Sequence, residues 1–525
     1  MRVGLLTEGG YPYASGEGGQ WCDQLVRGLP GHDFEICALS RRARQDAGGW
    51  CDLPEHVRRV RTAPLWGDPA GAVGRAHRAY GRRERRRFGA YFAGLAEALT
   101  ATVEPGPEDR KSQAYRFADA LNGLADLARD AGGLGSALRS EQALRILESA
   151  CRAPGSHPAA YGIRVADLLA VTALLERALR PLSLDWYGSG GTDRGLTGVD
   201  LCHATSAGPA ALPGLLAKRF FGTPFLVTEY EVRLRAYYLN SAASAAGLSL
   251  PVRTLLSAFH RQLTAEIYAR ADIITPGDAQ VRRWQERCGA DPGRLRTVHP
   301  GLDPGPYEAV GERSESGEGS DDGLTVLWAG GKAEPYLWET LAALRQAEPE
   351  VRMRIVGDPV PGVQPAFGVS YEPEAGPATY AAGSVVVLAG GAESFPTPLV
   401  EAMFCGRATV SPDSAAVREV IGGTGLVVPP RNAGALAAAC LDLLHDAGRR
   451  ARLGAAARAR ALELFTTERH VTDFHGIYLE LISRAPDGHG SAAPDPAVPF
   501  SRAAESRAPL DLTHRQTSPT WAGRP

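Results

Sequence analysis

The feature that most constrains this chain is a unit that recurs along it: a short apolar run, a turn, then a helical pattern. RVGLLTEGG reads as a buried strand, YPYASGEGG as a Gly-rich loop and QWCDQLVRGL as a helix. A strand, a Gly-bearing turn and a helix form the unit of a parallel α/β sheet. FEICALS (34–40), VDLCHAT, FLVTEY and ADIITPG continue the series as strands, with helical patterns between them, and RLRTVHPGLD closes it. A second series starts after the polar, acidic stretch GERSESGEGSDDG (311–323). It comprises LTVLWAGG, VRMRIVGDP, SVVVLAG, ATVSPD and GLVVPP, separated by helical patterns such as WETLAALRQA and TPLVEAMFCG.

Two α/β halves joined by a linker are therefore expected. Residues 75 to 180 carry Ala, Leu and Arg at helical spacing, more helix than one crossover needs, so a helical insertion is expected there. From about 485 the chain is rich in Pro, Ala, Ser, Gly and Arg without periodicity, which predicts a disordered tail.

Composition removes several classes of function. The formal net charge is -2 over 525 residues and the pI about 6.7, so no global field draws the chain to nucleic acid or an anionic membrane. The run RRERRR at 82–87 reads as a solvated basic helix face in preference to a polyanion site. The eight Cys stand singly, without CxxC or Cys/His clusters, which argues against a zinc site or a secreted disulfide framework. MRVGLLTEGG is too short in its apolar run for a signal peptide, and no window approaches the roughly 20 apolar residues of a membrane span. A cytoplasmic location is expected.

In open parallel sheets, ligands bind outside the carboxyl ends of the strands. The informative loops are then those that follow strands. GGAESFPTPLVEAMFCGRATVSPD (390–413) follows the run SVVVLAG and holds Glu393 and Glu401 with seven residues between them. Glu393 falls in the turn, Pro396 and Pro398 fit the loop and first helical turn, and Glu401 lies inside the helix. A helix start offers N–H groups to a phosphate, and carboxylates accept hydrogen bonds from vicinal hydroxyls. A nucleotide-sugar presents both.

This stretch resembles the E-x7-E signature of family 4 retaining glycosyltransferases, which have the GT-B fold. VHPGLD (298–303), IVGDP, DSAAVREVIGGTGLVVPPRN and FTTERHVTDFHGIYLELI resemble further segments of that family. In the first half, TEGGYPYASGEGGQWCDQLVRGLP, HATSAGPAALPGLLAKRFFGTPFLVTEYEVRLRAYYL and ADIITPGDAQVRRWQERCGAD look like the cytoplasmic glycosyltransferases of Pel-type exopolysaccharide synthesis.

The resemblance implies an α/β GT-B protein, two Rossmann-like domains facing across a cleft. The N-terminal acceptor domain would span 1–305 with the helical insertion at about 75–180. A linker at 306–323 would lead to a nucleotide-sugar domain at 324–466. A helix at 467–484 would cross back to the N-domain, and the tail would occupy 485–525. The implied reaction moves a hexose from a nucleotide-sugar, a UDP-sugar above others, to an acceptor hydroxyl with retention of configuration.

By the same resemblance, Glu393 faces the donor sugar and Glu401 the ribose. Main-chain groups around Ser394, Phe395, Pro396 and Thr397 line the sugar and diphosphate. Gly16, Gly18 and Gly19 let the backbone approach the diphosphate or acceptor. His203, at the end of VDLC, is read either as structural or as a substrate contact. No metal and no cofactor are expected beyond the nucleotide-sugar co-substrate. Expected partners are a glycan or small-molecule acceptor and, by the Pel-type likeness, a membrane-bound polysaccharide synthase.

The sequence also departs from the family pattern. Gly331 stands where related enzymes carry an Arg that grips the diphosphate, and Tyr336 where they carry a Lys. Lys332 is the candidate substitute. The subfamily's TEHG becomes Thr228, Glu229, Tyr230 and Glu231, which removes a His near the reacting sugar and leaves Glu229 and Tyr230 as candidates in its place. These departures support an alternative, a degenerate GT-B protein that binds nucleotide, glycan or a partner without transfer.

Overall fold

The computed structural model describes residues 1–13, 19–67, 80–102, 107–187, 194–243, 247–316, 323–329, 335–357, 368–388 and 395–484. The expected tail at 485–525 lies outside them. The chain divides into two compact units: residues 1–276, 283–296 and 474 onward in the first, 277–282 and 297–473 in the second.

The first unit is built on six parallel strands: β1 (Arg2–Glu8), β2 (Asp33–Ser40), β3 (Val57–Pro64), β4 (Leu201–Ala204), β5 (Phe225–Glu229) and β6 (Ile273–Pro276). Their order is β3-β2-β1-β4-β5-β6, so the sheet is wound in opposite directions from β1. The second unit repeats this plan with β7 (Thr325–Ala329), β8 (Arg352–Val356), β9 (Val369–Glu372), β10 (Val385–Leu388), β11 (Ala408–Pro412) and β12 (Leu426–Val428). Their order is β12-β11-β10-β7-β8-β9. Each sheet thus has a switch point, at β1/β4 and at β7/β10, which is where ligands of this architecture bind. The central strands β4 and β10 are buried at every position, as strands covered by helices on both faces must be.

The insertion is helical and belongs to the first unit's core. The helices Arg82–Thr100 and Pro107–Ala131 form a hairpin, followed by Glu141–Arg152 and Val165–Leu179. Phe88, Phe92, Leu95 and Leu99 recur at helical spacing and share one buried cluster with Leu6, Cys37 and Leu39 of the sheet. A buried carboxylate fastens the insertion. Glu176 accepts Nε and Nη2 of Arg180 at 2.9 and 2.8 Å, and Arg180 reaches Pro64 O, at the end of β3, at 2.7 Å. Of the basic run, Arg87 bonds to Asp130, while Arg82, Arg83, Arg85 and Arg86 are exposed at the helix start.

Two strands go beyond the sequence reading, β3 and β9, and both are edge strands. One expectation needs correcting. The stretch 306–323, expected as linker, contains the helix Glu308–Ser316. Its polar residues form an outer face, while Val310 is buried and Gly311 meets the guanidinium of Arg458.

Candidate active site

Gly16, Gly18, Gly331, Lys332, Glu393 and Ser394 lie outside the described residues. The other candidates fall at the carboxyl ends of the two sheets.

In the second unit, Glu401 sits one turn into the helix Thr397–Phe404, which follows β10. Its Oε2 accepts the hydroxyl of Tyr380 at 2.7 Å, and the Tyr307 phenol is near enough to feel the same carboxylate's charge. Burial, and then the Glu401 charge, push both phenols up, so both remain protonated donors near neutral pH. A carboxylate has about four acceptor positions, so the Tyr380 hydroxyl holds Glu401 without exhausting it.

The amides at the start of this helix are engaged locally. Thr397 N–H bonds to Phe395 O at 2.8 Å, Pro398 has no N–H, and the N–H groups of Leu399 and Val400 turn back to Pro396 O. The main chain from Thr397 to Val400 therefore leaves no donor for a diphosphate. Phe395 is a packing residue, edge-on to Phe465 with ring centroids 5.8 Å apart. His299, at the turn before Pro300, is held by Gly277 O at 2.9 Å and stands 3.6 Å from Glu419 Oε1, as a structural histidine would. Cys405 is a buried core residue whose thiol burial pushes up to about 12.

In the first unit, Gly19 opens the helix Gly19–Gly28, and a Cβ there would make only ordinary contact, 3.5 Å from Tyr11 N. His203, at the carboxyl end of β4, is fully buried. One ring nitrogen is 2.7 Å from the Tyr478 hydroxyl and the other 2.6 Å from Thr228 Oγ1, which in turn lies 2.5 Å from Thr275 Oγ1. Both ring nitrogens of His203 thus have hydroxyl partners inside the first unit. Glu229 is engaged in a similar way. It is buried, and its carboxylate accepts Ala207 N–H at 3.0 Å, Arg233 N–H at 3.2 Å, Gln285 Nε2 at 3.5 Å and the Tyr268 hydroxyl. Burial pushes this carboxyl up, against the pull of those donors. Tyr230 is half-buried with its ring edge-on to Trp21, centroids 5.1 Å apart, and Trp21 stacks on Phe474 at 6.2 Å.

Sequence reasoning missed a charged group beside these. Glu8 ends β1 with its side chain only 2% exposed, and one oxygen, Oε1, meets Arg41 Nε at 3.0 Å and Arg233 Nη1 at 2.7 Å. Burial opposes its ionisation, but Arg233 and Arg41 outweigh that and hold the carboxyl below the ordinary range. Nearby His260, its ring tilted against Tyr237 with centroids 4.4 Å apart, is pushed down to about 4 by burial and by Arg233, so it is neutral. The motif TEGG did mark the place, since Gly9 has φ +70° and a Cβ there would fall 2.9 Å from Arg41 Cδ. Among the described residues, no group of three or more His, Cys, Asp or Glu could hold a metal ion.

Two parallel switch-point sheets of the same order, each in its own α/β unit, define the class: a protein of the GT-B fold. Residues 325–446 match the family described as Glycosyl transferases group 1. The chain belongs to the family described as Domain of unknown function (DUF3492), whose model matches residues 1–293. No curated protein matches the sequence.

Among solved structures, a sucrose-phosphate synthase from Thermosynechococcus elongatus is similar with a TM-score of 0.50 and 16% identity, over 92% of this chain and 99% of that one. HepE of Anabaena in complex with UDP and glucose is similar with a TM-score of 0.47 and 13% identity, over 91% of this chain and 100% of that one. A glycosyltransferase from Rickettsia africae has a TM-score of 0.47 and 12% identity, over 92% and 99%. At such identities the first of these speaks for the fold alone.

Proposed function

We propose that this chain transfers a hexose from a nucleotide-sugar, with a UDP-sugar as the first donor to test, to an acceptor hydroxyl, with retention of configuration and without a metal. The observation that carries this reading is the Glu401 carboxylate, held by Tyr380 inside the segment that matches Glycosyl transferases group 1. A preorganised carboxylate of this kind suits the two hydroxyls of a ribose. In the proposed reaction the bond from the sugar's anomeric carbon to the diphosphate oxygen breaks and the diphosphate keeps the electron pair. The acceptor oxygen bonds to that carbon on the same face, and its proton passes to the departing phosphate. Glu393 would face the sugar hydroxyls. The Pel-type likeness of the first half supports a role in polysaccharide or glycoconjugate synthesis, in the cytoplasm and beside a membrane-bound synthase.

The experiment is calorimetric titration with UDP, UDP-glucose, GDP and GDP-mannose, repeated on Glu401→Ala, followed by donor turnover in the presence of acceptors. Micromolar binding lost in the variant supports the donor site. Full turnover by Glu393→Gln would remove that residue from the mechanism. A second reading, binding without transfer, is favoured by Gly331 and Tyr336 at positions where related enzymes place cations. Donor binding without turnover on any acceptor would select it.

A further inference from the structure

Two guanidinium groups converge on one carboxylate oxygen at the carboxyl end of β1, each with its donor nitrogen within 3.0 Å of it. A further carboxylate, Glu229, acts on Arg233 through its charge, but its hydrogen bonds go to the N–H groups of Ala207 and Arg233, to the Tyr268 hydroxyl and to Gln285 Nε2, none of them to a guanidinium. His260 is neutral. Among the described residues, the remaining N–H groups of Arg41 and Arg233 have no partner, and the second oxygen of Glu8 is buried without one.

The arrangement is also built for its arginines. A Cβ on Gly208 would fall 2.4 Å from Cδ and Nε of Arg233, and one on Gly9 would fall 2.9 Å from Cδ of Arg41, so each side chain lies across a glycine. Arg41 is 49% exposed and Arg233 22%, so the cations are reached from outside while Glu8 lies beneath them. The place adjoins the β1/β4 switch point, where ligands of such sheets bind.

We infer that Arg41 and Arg233, drawn together by Glu8, form a seat for an oxyanion, a phosphate or a carboxylate, carried by a substrate of the transferase. Paired guanidinium groups match such anions through parallel N–H donors, and Glu8 acts as the positioning residue. The inference rests on the transferase reading for the identity of the substrate, not for the existence of the seat.

The test titrates the full chain at low ionic strength with inorganic pyrophosphate, glucuronate and UDP, comparing wild type, Arg41→Ala and Arg41→Lys. The expected result is binding of pyrophosphate or glucuronate that weakens at least tenfold in Arg41→Ala and is partly restored in Arg41→Lys, with the thermal unfolding midpoint unchanged. Gly208→Ala, which displaces Arg233 without removing a charge, should weaken the same probe. A parallel loss of UDP affinity assigns the seat to the donor's diphosphate; loss for glucuronate with UDP unaffected assigns it to an acidic acceptor. Affinities in Arg41→Ala within twofold of wild type for all three probes, or no binding of any of them to wild type, overturn the seat. UDP binding that needs Glu401 but not Arg41, with no pyrophosphate or glucuronate binding, overturns the seat and leaves the transferase reading standing. Arg41-dependent pyrophosphate binding without UDP binding does the reverse.

Discussion

Tyr380 donates its hydroxyl to Oε2 of Glu401 at 2.7 Å, so a fully buried phenol aims a half-exposed carboxylate. Removing the carboxylate and removing its support should therefore differ in degree. Glu401→Ala is expected to abolish measurable donor binding, whereas Tyr380→Phe deletes one hydrogen bond worth about 1 kcal/mol and should weaken donor affinity about fivefold. Calorimetry on both variants checks this. Equal losses would mean that Tyr380 does more than position Glu401.

Glu8 should give the first unit an acid-sensitive tie. Its folded pKa lies below the ordinary value of 4.5, so the stability it contributes is present above that value and is lost as pH falls through the folded one. Glu8→Gln would leave Arg233, only 22% exposed, facing Arg41 without the carboxylate that bridges them. The cost is expected at about 2 kcal/mol at pH 7, discounted from the range for buried pairs because Arg41 is half exposed. Urea unfolding at pH 7 and at pH 3.5 measures it. The variant should lose less stability than wild type between the two, and an identical loss would remove Glu8 from the linkage.

His203 tests whether a strand-end histidine serves substrate or structure. Between the Tyr478 hydroxyl and Thr228 Oγ1, a neutral ring is suited to donate through one nitrogen and accept through the other. His203→Ala opens a cavity and orphans the buried Tyr478 hydroxyl, which should cost about 3 kcal/mol of stability. Donor affinity of the folded fraction should stay within twofold of wild type. A variant with wild-type unfolding behaviour and lost turnover would return His203 to the active site.

These cases show what the sequence could and could not display. Glu401 was legible because its signal is local: a strand, a proline-marked loop and a helix in one short stretch. β3 was not, because Arg58, Arg59 and Arg61 break the apolar pattern of VRRVRTAP. Two of those charges are met from β2, Arg58 by Asp33 and buried Arg61 by Glu35, which is tertiary information. The Glu8 group draws on residues from three separate segments, so no spacing in the chain announces Arg41 or Arg233 as its partners. His203 and Glu229 were rightly placed at strand ends. What sequence could not tell was that their polar atoms are already satisfied inside the unit.

The helix Glu308–Ser316 offers the sharpest contrast between the two readings, because the same substitution has opposite signs in each. If 306–323 were an open linker, Gly311→Ala would be neutral or slightly stabilising, since alanine restricts the unfolded chain and favours helix by about 0.5–1 kcal/mol. In the folded unit, a Cβ on Gly311 would fall 1.7 Å from Nη1 of Arg458 and 2.6 Å from the backbone oxygen of Phe404. Arg458 has little freedom to withdraw. It is 8% exposed and bonds to Phe404 O at 2.6 Å and to Glu315 at 3.0 Å. Overpacking against backbone should outweigh the helical gain and leave Gly311→Ala less stable by about 2 kcal/mol. Gly434→Ala serves as the control. It also lies in a helix, and its Cβ would meet nothing closer than Asn432 Oδ1 at 3.6 Å, so a gain of about 0.5 kcal/mol is expected there. Chemical unfolding of both variants decides the matter: opposite signs place Gly311 against Arg458, and gains of equal size return the segment to linker.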